Sequence, residues 1–178
     1  MTPSHIALWV VLGVALVISV ATDLLRREIL DVVTYPLMGV ALGVRWWAEG
    51  LGNLETGLVS GGVSGLGLAL VLLPAAVRGR MGWGDVKLMA GVGAVLGFPT
   101  VMAAAAFISL VGALQAVVTL LWHGAVWDTL GELARRWAVK ARLVRAGSAV
   151  APQRHIPYGV AIALGTFWAM WWQHDRLG

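Results

Sequence analysis

Asp23 closes the first long apolar run of the chain, and Asp85 lies 62 residues further on, in Met81-Gly82-Trp83-Gly84-Asp85-Val86-Lys87-Leu88. A carboxylate carried to a bilayer midplane costs roughly 2.5–3.5 kcal/mol on insertion scales, so an acid at the edge of such a run is a functional candidate by default. Two carboxyls that meet cannot both ionise easily, because like charge and partial desolvation oppose it, and such a pair shares a proton. The ionised member can then take a proton from water while the protonated member polarises a carbonyl. That is general acid–base hydrolysis of an amide, with no covalent intermediate. Gly82 and Gly84 suit this use, since a backbone without side chains lets an extended substrate approach closely. Lys87 either stabilises one of the carboxylates or carries its ammonium out to the interface.

The elements that must position these acids are apolar helices. Of 178 residues, 59% are hydrophobic and 12% charged, with a mean hydropathy of +0.81, a balance outside that of ordinary soluble domains. Uncharged runs fall at about 6–22, 32–44, 56–77, 88–122 and 156–174. A span needs roughly 20 apolar residues, so the fourth run is too long for one helix, and it breaks at Gly97-Phe98-Pro99. The expected fold is all-α: one membrane-embedded domain over 1–178, with six spans at about 6–22, 32–48, 57–77, 86–98, 100–122 and 156–173.

Charge supports that count. Six spans put Arg26, Arg27, Arg78, Arg80, Lys87, Arg135, Arg136, Lys140, Arg142, Arg145 and Arg154 on one side, eleven of thirteen basic residues, and leave Arg45 and Arg176 opposite. Five spans would divide them six to seven. The positive-inside rule therefore favours six spans, basic loops in the cytoplasm and both termini outside. Trp46, Trp47, Trp171 and Trp172 fall at outer ends and Trp122 at an inner end, as interfacial belts do. The first run lacks a basic leader region and is followed by Asp23 and two arginines, so it reads as a retained span and not a cleaved signal. In 123–155, Val126, Leu130, Leu133, Trp137, Ala141 and Val144 recur at helical spacing, with basic residues on the other faces. An interfacial amphipathic helix between spans 5 and 6 is expected there, facing anionic lipid. The sequence pI near 10.3 thus points to membrane lipid and not to nucleic acid.

Plainer readings stand beside the chemical one. Asp23 also fits a helix-end charge paired with Arg26 or Arg27, and Asp85 fits an N-cap of the fourth span. Asp31 is expected to cap the second span, and Glu28 to be a solvated interface charge. Gly62-Val63-Ser64-Gly65 resembles the rhomboid-type serine protease motif, but no histidine falls inside a later span, and Gly61 with Gly65 reads as small-residue helix packing. His5, His123, His155 and His174 are scattered at ends and in loops, so no metal site is expected, and no other cofactor is called for. The absence of cysteine excludes thiol chemistry and disulfides. The alternative function class is a small ion- or proton-coupled transporter component; against it, neither internal repeats nor mid-span acids are visible.

Gly82-Trp83-Gly84-Asp85-Val86-Lys87-Leu88 resembles the signature of the type IV prepilin peptidases, GxGD-type membrane aspartyl proteases. Asp23-Leu24-Leu25-Arg26-Arg27-Glu28-Ile29 resembles their first aspartate motif, with Leu30-Asp31 where that motif usually continues Pro-Asn. Ile156-Pro157-Tyr158-Gly159-Val160-Ala161-Ile162-Ala163-Leu164-Gly165 resembles the motif of their final span. The resemblance implies that Asp23 and Asp85 are the catalytic dyad and that Gly82, Gly84, Lys87, Arg27, Pro157 and Gly159 lie near the substrate. It implies an aspartic endopeptidase of the bacterial inner membrane that removes the basic leader of a prepilin or pseudopilin at the cytoplasmic face. The cysteine-bearing cytoplasmic segment of the larger, methylating relatives is missing, so the chain is similar to the short peptidase-only form of Flp (Tad-type) pilus systems. Archaeal preflagellin peptidases are the nearest alternative within the family.

Overall fold

Four of the five apolar runs fold as one helix each, and the run at 88–122 folds as two. A computed structural model describes residues 3–26, 28–79, 81–122, 131 and 158–177. These hold six helices: α1 (Pro3–Arg26), α2 (Asp31–Glu49), α3 (Gly57–Val77), α4 (Trp83–Leu96), α5 (Thr100–Trp122) and α6 (Tyr158–Leu177). No strand occurs among the described residues. The expected amphipathic helix over 123–155 lies outside them. The chain divides into two compact units, Met1–Gly112 with Pro157–Gly178, and Ala113–Ile156. Described residues of the second are the last part of α5 and Gly131.

Three helices, α1, α3 and α5, are long and apolar enough to cross a membrane. Their outward faces are apolar too. On α1, Val10, Val14 and Val17 form an exposed stripe at helical spacing, and on α3 Leu66, Leu70 and Val71 do the same. Contiguous apolar surface of this kind is at home in lipid and not in water.

The break expected at Gly97-Phe98-Pro99 is present: α4 ends at Leu96 and α5 starts at Thr100. Gly97 has φ +68°, a left-handed conformation that glycine adopts without strain.

Within the first unit α4 is the central helix. Ten of its fourteen residues are buried, and it packs on α2 and α3 and touches α1 and α6. Small residues let the backbones close up, as expected for Gly61 and Gly65. A Cβ on Gly65 would come within 2.7 Å of the Ala90 carbonyl oxygen, and one on Gly93 within 2.6 Å of the Ser64 carbonyl oxygen. Ser64 itself is buried in this contact, and its hydroxyl finds no partner among the described residues, so none of them activates it as a nucleophile.

The end of α4 leaves orphan carbonyls inside the protein, which a buried helix end must satisfy. Arg45 of α2 does so: Nε donates to the Ala94 oxygen at 3.0 Å and Nη2 to the Val95 oxygen at 2.8 Å. Arg45 is only 4% exposed. Its charge serves the interior, a role that loop-charge counting does not reveal. Ser60 of α3 completes the cap by accepting the Phe98 amide at 3.0 Å.

Candidate active site

The apolar period of α1 sets the direction of Asp23. Leu8, Leu12, Leu16, Ser19 and Asp23 recur every three to four residues and are all buried, so the carboxylate lies on the face that packs inward. At 4% exposure, Asp23 is no solvated helix-end charge. Its Oδ2 accepts the amide of Gly159 at 3.0 Å. Gly159 is the second residue of α6, where amides have no acceptor in their own helix. A Cβ at 159 would lie 2.8 Å from the same oxygen, so only a glycine allows this approach.

Asp85 is the third residue of α4 and half-buried. The N-cap is Gly82, with no side-chain capping bond, which corrects the expectation that Asp85 itself caps. The Asp85 carboxyl turns back over Gly82 instead: a Cβ there would sit 3.1 Å from Oδ2. Gly84 lets the first turn of α4 press on Ile29, whose Cβ would lie 2.8 Å from a Cβ at 84. Ile29 follows the end of α1, six residues after Asp23. Both aspartates therefore lie at the same end of the first unit, where α1 ends and α4 and α6 begin.

Lys87 departs from expectation. Its ammonium contacts both oxygens of Asp31, at 2.7 and 2.8 Å, and lies 5.0 Å from the centre of the Tyr35 ring. It neither pairs with Asp23 or Asp85 nor stands free at the interface. Asp31 is likewise no cap. The N-cap of α2 is Leu30, without a side-chain bond, and Asp31 is the first helical residue. The pair ties the first turn of α4 to that of α2. Glu28 is exposed, as its reading as a solvated charge requires. Arg27 and Pro157 lie outside the described residues.

Sequence reading missed three contributors here. Ile29 is the surface on which Asp85's helix rests, and Tyr35 is the ring beneath Lys87. Ser19, one turn before Asp23, is buried, and its hydroxyl has no partner among the described residues. The spacing of Ser19 from Asp23 was the only available signal, and it is not distinctive. A buried carboxyl held by a backbone amide, with a second among glycines at the same end, supplies the groups for acid–base chemistry on a peptide.

A family model described as the type IV leader peptidase family matches residues 10–117, more than half of the chain. The chain belongs to the type IV leader peptidase family. The match runs from α1 into α5 and takes in both Asp23 and Asp85, while Gly159 of α6 lies beyond it. No curated protein and no solved structure matches this leader peptidase. Family and apolar helices together make it a membrane peptidase.

Proposed function

We propose that this leader peptidase is an aspartic endopeptidase whose dyad is Asp23 and Asp85, and that it removes the basic leader of a prepilin or pseudopilin. The observation that carries the reading is the hold of Gly159 on Asp23 at the end of the unit where α4 presents Asp85. Three separated motifs contribute to that end, which is what a site built across the sequence requires. One carboxyl activates a water while the other protonates the leaving amide. Gly82 and Gly84 leave room for the substrate backbone beside Asp85.

In this reading the domain crosses the bacterial inner membrane six times, with both termini outside and the dyad at the cytoplasmic face. Support for that sidedness comes from the basic loops. A basic leader would then reach the dyad while the substrate's own apolar helix remained in the bilayer. The short form similar to Flp-type peptidases fits a chain with no cysteine.

Purified protein in detergent, mixed with prepilins encoded in the same genome, tests the proposal by mass spectrometry of the substrate. Leader loss that persists with serine-protease inhibitors, thiol reagents and chelators is the expected result. Cleavage abolished by a chelator and restored by added metal would instead make the carboxyls metal ligands.

A further inference from the structure

At the opposite end of the first unit lies a cavity of about 210 Å³ with a mixed polar and apolar lining, to which Arg45, Glu55, Thr100, Gln173, Trp9 and Phe98 contribute. His5 and Glu49 stand at its rim, with His5 Nε2 3.2 Å from Glu49 Oε1. Two of its polar side chains are more than nine-tenths buried and have unused donors. Arg45 spends Nε and Nη2 on the end of α4, and its Nη1 has no partner among the described residues. The Thr100 hydroxyl, 8% exposed, also has none among them. No carboxylate among the described residues lies within ion-pair distance of Arg45: Glu49, one turn on, is engaged by His5 and by the Gly57 amide. Glu55 also makes no ion pair among them. A buried cation with a spare donor thus faces an uncommitted carboxylate across one cavity. That is a complement to a zwitterion: the buried guanidinium is costly without an anion, and the exposed Glu55 carboxylate at the same cavity can take a cation.

The level of the cavity narrows the choice. His5 precedes Asp23 by eighteen residues on the same helix, about 27 Å at 1.5 Å per residue, close to the roughly 30 Å of a hydrocarbon core. With Asp23 at one membrane boundary, the cavity opens at the other. Trp46 and Trp47, both exposed, stand one turn or less from Glu49, as residues at a headgroup layer do. Trp9, Val95, Leu96 and Phe98 add an apolar wall.

We propose that this cavity binds a zwitterionic phosphoethanolamine headgroup, its phosphate on Arg45 and Thr100 and its ammonium on Glu55. The group reaches it either as a phospholipid or as the free molecule. Thermal unfolding of the purified full chain in detergent, titrated with short-chain phosphatidylethanolamine or phosphatidylglycerol, tests this. The ethanolamine lipid should half-saturate at a concentration at least tenfold lower. Glu55→Gln should erase that preference, and Thr100→Val should weaken both lipids alike; neither variant touches the cap of α4. A parallel titration with free phosphoethanolamine against inorganic phosphate identifies the source. The same preference there assigns a soluble ligand, and preference in the lipid arm alone assigns the bilayer. Equal binding of the two lipids with no preference in the soluble arm, or a preference that survives Glu55→Gln, overturns the proposal.

Discussion

The amide of Gly159 donates to Oδ2 of Asp23 at 3.0 Å, joining positions 136 residues apart. The contact brings the first turn of α6 to the candidate site and fixes Gly159 against Asp23. Gly159→Ala would place a Cβ 2.8 Å from the carboxylate oxygen and push the two apart. Displacements on that scale cost about 10²-fold in rate. The expected variant accumulates in the membrane but cleaves about a hundredfold more slowly in a leader-removal assay; wild-type turnover would show the contact to be dispensable.

Lys87 and Asp31 should behave as one unit. The pair is partly exposed, so Lys87→Ala or Asp31→Ala is expected to slow cleavage only about twofold to fivefold. The double variant should be no slower than either single one. Exchanging the two residues, Asp31→Lys with Lys87→Asp, should recover most of the rate. Losses that multiply in the double variant would mean that the two act separately.

Arg45 should matter for stability and not for chemistry. Arg45→Met leaves the Ala94 and Val95 carbonyls buried without donors, a loss of about 2–4 kcal/mol. Thermal unfolding in detergent should fall well below that of Glu28→Ala, a change at an exposed site. At a temperature where both are folded, their cleavage rates per folded molecule should be similar.

The α3–α4 contact gives a packing prediction. Gly93→Val would force a side chain against the Ser64 carbonyl and the backbone of Gly65. Overpacking of this kind costs about 1–3 kcal/mol. Gly62→Val, where a Cβ meets nothing within 4 Å, is the matched control and should be nearly neutral in the same unfolding assay.

The six apolar helices among the described residues and the Gly97 break were legible because apolar runs and Pro99 act locally. Asp23 was legible as a candidate because an acid in such a run is costly, and its burial follows from the spacing of Leu8, Leu12, Leu16 and Ser19. The partners of the charges were not legible. Pairing Lys87 with Asp31, or Arg45 with the end of α4, depends on which helices become neighbours across about fifty residues of sequence. The plainer reading of Asp85, as a cap, rested on the preference of aspartate for caps, but Gly82 begins the helix earlier and carries Asp85 into its first turn. Gly159 was legible through its motif, and its hydrogen bond to Asp23 only through the fold.

The central claim is that Asp23 and Asp85 act on one water as a pair. Its most direct test is the cleavage rate of one prepilin by Asp23→Asn, Asp85→Asn and the double variant, each first shown to be folded by thermal unfolding. Groups that act as a unit are non-additive, so all three should be equally inactive. Full turnover by either single variant, or a double variant slower by the product of two partial losses, would contradict the shared site.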